Sequence, residues 1–239
     1  MEARIAVQIE QAWPAILLKS ARSTLVRITL LSLAFSFSSE AQGNGTNSTT
    51  SMFLARTAEQ LNSPSIATFH YLQFLQIRAN WIYPDIGYAD YGKNNYREFF
   101  FGGGRILYNG KFVTWIEELY FVQSAGPAAH SARYLWPWTM LQVRFTPKLA
   151  SETVYFFYAP LNDSARIQHV IDRSKAEYRL SRSWKIGAGY SGYKFADMDW
   201  QNKPFLTATL LTRAGAFEVW LQKVPAGAEL QLRYQFVKK

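Results

Sequence analysis

From Glu229 to Phe236 polar and apolar side chains alternate without a break: Glu229, Gln231, Arg233 and Gln235 against Leu230, Leu232, Tyr234 and Phe236. A period of two puts the two sets on opposite faces of an extended strand. The same division recurs upstream. Lys175, Glu177 and Arg179 alternate with Ala176, Tyr178 and Leu180. Trp184, Ile186, Ala188 and Tyr190 face away from Lys185, Gly187, Gly189 and Ser191, and Thr139, Leu141, Val143 and Phe145 oppose Gln142 and Arg144. Ten strand-like runs follow from this reading: 66–82, 96–108, 111–123, 133–146, 152–160, 174–182, 184–195, 204–213, 216–224 and 228–237.

Turn chemistry separates the runs. Asn109-Gly110 accepts the positive φ of a tight hairpin, and short connections fall at 146–151, 180–184 and 213–215. Longer polar stretches lie at 83–95, 124–132, 161–173 and 197–203; only Pro225-Ala226-Gly227 is short where a long one is due. An even number of strands puts both chain ends on the short-turn side. Most runs are long enough to cross a bilayer as tilted strands. Gly102-Gly103-Gly104 marks a bend in its strand. Glu117 shares a face with Val113, Trp115, Leu119 and Phe121. That requires either a slipped register near Glu117-Glu118 or a position close to a membrane interface. Aromatics gather near predicted strand ends, at Trp81, Tyr83, Trp136, Trp138, Trp184, Tyr234 and Phe236, which suits two head-group girdles.

Ahead of the strands, Arg22 and Arg27 precede the apolar run Ile28–Phe37, and Ser39-Glu40-Ala41 follows it. A run of about ten residues is too short for a spanning helix. With its basic flank and small-x-small site it reads as a secretory signal cut after Ala41. Translation starting near Val26 would make this an ordinary bacterial signal, with residues 1–25 a gene start set too early. Residues 42–65, rich in Ser, Thr, Asn and Gly, are expected to be a flexible segment with a helical turn or two around Met52–Leu61. The domain plan is thus 1–41 signal peptide, 42–65 flexible segment and 66–239 barrel. The expected fold is all-β: a single antiparallel up-and-down transmembrane β-barrel of about ten strands, apolar face outward.

The hairpin KAEYRLSRSWKIGAGYSGYKF (175–195) and the closing ELQLRYQF (229–236) resemble bacterial outer-membrane β-barrel proteins. The resemblance implies location in the outer membrane after export through the inner one. It also implies recognition by the outer-membrane assembly machinery through a terminal aromatic, here Phe236 with Val237-Lys238-Lys239 after it.

The chain has 239 residues, a formal charge of +9 and no cysteine. Without Cys there is neither a disulfide framework nor a thiolate metal site. The positive charges are dispersed on an exported chain, so lipid, including anionic head groups, is the expected partner and nucleic acid is not. Gly102-Gly103-Gly104-Arg105 lacks the Lys-Ser/Thr of a phosphate loop. His70, His130 and His169 have no second ligand at metal spacing, so no metal or cofactor is expected.

Two constellations carry candidate chemistry. Glu118, Arg144, Glu177, Arg179, Lys185, Glu218 and Arg233 are expected to face the lumen, where buried charges must be paired. They either fill the barrel and fix its register or line a passage for a small anion. Asp85, Asp90, Asp163, His169, Asp172, Asp197 and Asp199 are expected on external loops. The sequence supports a structural, adhesive or narrow-transport protein of the cell envelope with a largely filled lumen, and not an enzyme. Two alternatives stay open: a hydrolase acting at the barrel rim, protease or lipid-modifying, and a soluble lipocalin-like binder with its apolar face inward.

Overall fold

The computed structural model describes residues 49–61, 68–92, 96–126, 131–225 and 227–238. The proposed signal peptide and residues 42–48 lie outside them. Twelve antiparallel strands, not ten, close into one barrel in which each strand pairs with its chain neighbours and the last pairs with the first. In chain order they are β1 Thr49–Gln60, β2 Thr68–Arg78, β3 Trp81–Asp90, β4 Arg97–Asn109, β5 Val113–Ala125, β6 Arg133–Arg144, β7 Leu149–Pro160, β8 Gln168–Arg179, β9 Trp184–Phe195, β10 Gln201–Leu211, β11 Gly215–Val224 and β12 Gly227–Lys238. At about 3.3 Å per residue and a tilt of about 40°, strands of this length cover an apolar band about 25 Å tall.

The two added strands come from segments expected to be irregular. Thr49–Gln60, placed by the sequence reading in the flexible segment, is β1. It closes the barrel by pairing with β12 from Ser51↔Lys238 to Gln60↔Glu229. The run 66–82 ends early, at a two-residue turn of Ala79 (φ 54°) and Asn80, and the stretch read as a loop at 83–95 is mostly β3. Pro84 and Gly87 hide that strand in the sequence. Pro84 follows a cis peptide bond and sits where the β3–β4 register shifts between Ile82 and Asp85, so the missing N–H falls at a bulge. Both described termini lie on the short-turn side, as the even count requires. At the other end, Pro225 makes the β11–β12 connection brief.

The faces divide as the alternation predicts, apolar outward. Leu206, Phe101, Leu119, Leu221 and Ile186 are 63, 58, 52, 49 and 46% exposed, whereas Glu98, Gln222, Gln231 and Lys175 on the inner face are at most 8% exposed. This is the reverse of a soluble lipocalin-like barrel. Glu117 is outward without any slip in β5; the shift lies in β4, between Ile106 and Tyr108. It is the fifth residue of β5 from the short-turn end, and Trp115 Nε1 and Thr139 Oγ1 donate to its Oε1 at 2.5 and 2.6 Å. Trp81, Tyr83, Trp184 and Phe236 form an outward aromatic belt at that end. Trp136 and Trp138 do not join a girdle. They share a face with Glu118 and Tyr120 across β5–β6, and Trp136 is buried inside the barrel.

Two glycines of β4 lie where the β5 backbone comes too close for a side chain. A Cβ on Gly104 would lie 2.0 Å from the carbonyl oxygen of Glu117, and one on Gly102 would lie 2.1 Å from that of Leu119. Backbone cannot yield there without opening the β4–β5 ladder. Gly104→Val is therefore expected to abolish the compact, heat-modifiable band on gel electrophoresis. Gly110→Ala, whose close neighbours are Tyr108 ring atoms that can swing away, is expected to keep it. Normal heat-modifiable folding of Gly104→Val would contradict the register.

Candidate lumen site

The inner face carries two chemically different walls. The first runs from β7 through β12 to β1 and is charged. Its key residue is set by an irregularity in β8, whose pairing with β9 shifts between Ile171 and Ser174. An extra residue on one strand lets two consecutive side chains turn to the same side. Asp172 and Arg173 both enter the lumen as a result. Arg173 pairs with Glu152 of β7 and, at 2.5 Å, with Asp172 Oδ2. Asp172 Oδ1 receives Arg56 Nη1 of β1, also at 2.5 Å. β1 and β8 stand five strands apart round a circuit of twelve, one short of diametrically opposite. This ion pair therefore crosses the lumen.

The network extends below the bridge. Lys175 Nζ reaches Glu218 Oε1 at 2.5 Å and Glu177 Oε2 at 3.2 Å, and Lys185 Nζ reaches Glu177 at 3.6 Å. Thr207 and Thr209 donate to Glu218 and Glu177 at 2.9 and 2.8 Å. Arg233 lies 3.9 Å from Asp172 and 3.8 Å from Glu218, and its Nη1 has no hydrogen-bond partner. Trp220, stacked on Phe205 at 3.9 Å, forms a platform for two cations: Arg233 lies 4.6 Å and Arg56 5.5 Å from its ring centre. Arg56 is further fixed by Gln231, whose Oε1 accepts from its Nε at 2.9 Å.

The second wall, on β2 to β7, is aromatic and acidic. Phe100, Tyr120, Tyr134, Trp136 and Tyr158 pack edge to face or tilted, with neighbouring ring centres 4.7–6.3 Å apart. Fully buried Asp85 accepts from Gln73 at 2.8 Å and Tyr120 at 2.9 Å. Glu98, equally buried, accepts three tyrosine hydroxyls: Tyr96 at 2.6 Å, Tyr158 at 3.0 Å and Tyr91 at 3.3 Å. Tyr91 and Tyr96 belong to the β3–β4 loop. Burial first, and the Glu98 carboxylate second, hold both hydroxyls well above the usual tyrosine range. They stay protonated as donors and tie that loop to the barrel mouth.

The residues picked from sequence are thus only partly united. Glu177, Lys185, Glu218 and Arg233 belong to one network. Glu118 is buried on the other wall, next to Asp85. Arg144 and Arg179, expected among the paired lumen charges, are the last residues of β6 and β8 and lie exposed at the short-turn mouth. Arg144 donates there to the carbonyls of Gly110 and Lys111. Asp163, Asp197 and Asp199 are exposed loop residues, as expected. His169 and Asp172 are not on a loop, because β8 begins at Gln168. His169 points outward, its Nδ1 2.7 Å from the Tyr155 hydroxyl, while Asp172 points inward. Asp85 is likewise interior, and Asp90 ends β3, 3.4 Å from Arg97. No Ser-His-acid arrangement converges among these residues. Arg56, Glu152, Arg173 and Lys175 were missed. Lys175 had the right alternation, but the bulge before it disguised Arg173, and β1 was not read as a strand.

No family model matches the sequence, and no curated protein matches it. Solved structures do match the fold. The KdgM porin is 10% identical, with a TM-score of 0.53 over 77% of this chain and 98% of its own. The NanC porin is 9% identical, with a TM-score of 0.55 over 78% of this chain and 98% of its own. The chain has the fold of bacterial outer-membrane β-barrel porins.

Proposed function

We propose that this protein is a narrow channel of the bacterial outer membrane that passes small anions past a charged constriction. The observation that carries the reading is the Arg56–Asp172 bridge across the lumen. A barrel meant only to be filled could use apolar side chains there at no loss of stability, since buried ion pairs rarely outperform good hydrophobic packing. A continuous polar wall instead offers a solute successive hydrogen-bonding partners. Cations exceed anions along it by one: Arg56, Arg173, Lys175, Lys185, Lys203 and Arg233 stand with Glu152, Asp172, Glu177, Glu218 and Glu229. Arg144 and Arg179 add positive charge at one mouth, which raises the local concentration of anions. The KdgM porin has also been solved in complex with disordered oligogalacturonate, and shares this barrel plan at a TM-score of 0.53. That supports an anionic solute for the present chain.

In a planar bilayer the wild-type barrel is expected to give small single-channel steps that favour chloride over potassium. Removing the bridge with Arg56→Ala and Asp172→Ala together is expected to raise the step size roughly twofold or more, since the lumen of a barrel this size is set by its side chains. Heat-modifiable migration confirms that the variant is folded. A bilayer silent for both proteins would refute the channel and leave a filled structural barrel.

Charge reversal at the mouth, Arg144→Glu with Arg179→Glu, is expected to shift the reversal potential in a salt gradient toward cation preference. An unchanged reversal potential would mean that the mouth does not select.

A further inference from the structure

The two ends of the barrel differ in charge. Every short turn has a basic residue in it or beside it: Arg78 at β2–β3, Lys111 at β4–β5, Lys148 at β6–β7, Arg182 at β8–β9 and Arg213 at β10–β11. No Asp or Glu occurs in 78–81, 110–113, 144–149, 179–184 or 211–215. All five basic side chains are exposed, and none enters an ion pair among the described residues. At the long-loop end the signs are mixed. There Asp90, Asp163, Asp197 and Asp199 stand with Arg97, Arg133, Arg166, Lys194 and Lys223.

The basic ring is interleaved with outward rings. Trp81, Tyr83, Phe112 and Phe145 are 57–72% exposed at this end, Lys111 Nζ lies 5.2 Å from the Phe112 ring centre, and Arg105 lies 5.2 Å from that of Trp81. Arg78 pairs across the turn with Trp81, on the outer face. Exposed aromatics beside cations mark the depth at which acyl chains give way to head groups. A soluble polyanion would need the cations but not the apolar rings among them.

We propose that the short-turn rim is a binding belt for anionic phospholipid head groups, with the turn cations holding lipid phosphates and the outward rings holding the lipid at head-group depth. Arg144 and Arg179 face the lumen and are not part of it. The belt rests on the barrel spanning a membrane, so the test separates the two claims. The full chain is folded into phosphatidylcholine vesicles with and without phosphatidylglycerol, and lipid retention is then read by native mass spectrometry. The wild type is expected to retain phosphatidylglycerol over phosphatidylcholine by ~10-fold or more at low salt, because cations near the surface attract anionic lipid, and less at high salt. Replacing Arg78, Lys111, Lys148, Arg182 and Arg213 by Gln is expected to remove the preference. Replacing Arg97, Arg133, Arg166 and Lys223 by Gln is expected to keep it. A preference that survives the first variant overturns the belt. So does a wild type that shows no lipid preference and binds soluble peptidoglycan fragments instead. A chain that never becomes heat-modifiable in phosphatidylcholine overturns the membrane reading itself.

Discussion

The interior is organised by one constraint: a carboxylate brought to the middle of a closed barrel must find cations there. Asp172 finds Arg56 from nearly the opposite wall and Arg173 from its own strand. An ion left alone in such a place costs about 3–5 kcal/mol, so each participant is held by another. Gln231 and the rings of Phe69 and Trp220 position Arg56, Glu152 anchors Arg173, and Arg233 shares the Trp220 face. The irregularity in β8 is the local device that makes this possible, because it turns two neighbouring residues inward where regular pleating would turn one. β1 matters for the same reason. It supplies Arg56, and with it both the closing ladder and the cross-lumen cation.

The aromatic wall solves a different problem. Among the described residues Asp85 and Glu98 make no ion pair, and they are stabilised by hydroxyl and amide donors. The rings that supply those hydroxyls are large. Gly87 leaves space for one ring of that wall, since a Cβ there would meet the Phe100 ring at 2.1 Å, and at Gly102 and Gly104 the β5 backbone comes too close for any side chain. Bulk on one wall and charge on the other divide the lumen lengthwise, and a solute in the proposed channel would pass along the charged side. On the outside the order is reversed. Apolar side chains face outward, and the turns of one rim carry cations without acids.

The alternating strands at the end of the sequence were readable because each has one uniformly polar and one uniformly apolar face. Glu177, Lys185, Glu218 and Arg233 could be assigned to the interior on that basis. β1 was not readable. Its inner face mixes Thr50, Met52, Leu54, Arg56 and Ala58, and its outer face mixes Ser51, Phe53, Ala55, Thr57 and Glu59, so period two carries no contrast. β3 was hidden by Pro84 and Gly87, which are tolerated only because a bulge and a facing ring accommodate them. Trp136 and Trp138 were assigned to a girdle by their nearness to a strand end. Their parity with Gln142 and Arg144 pointed inward and is what the structure obeys. Asp172 could not have been found by alternation at all, since the bulge breaks the count at that residue.

The central claim is that Arg56 and Asp172 hold each other across the lumen. A double-mutant cycle on unfolding free energy in vesicles, with Arg56→Met, Asp172→Asn and the two combined, measures it directly. The double variant is expected to be far less destabilised than the sum of the singles, with a coupling of about 1–3 kcal/mol. Strict additivity would mean that the two side chains do not interact, and the constriction would have no basis.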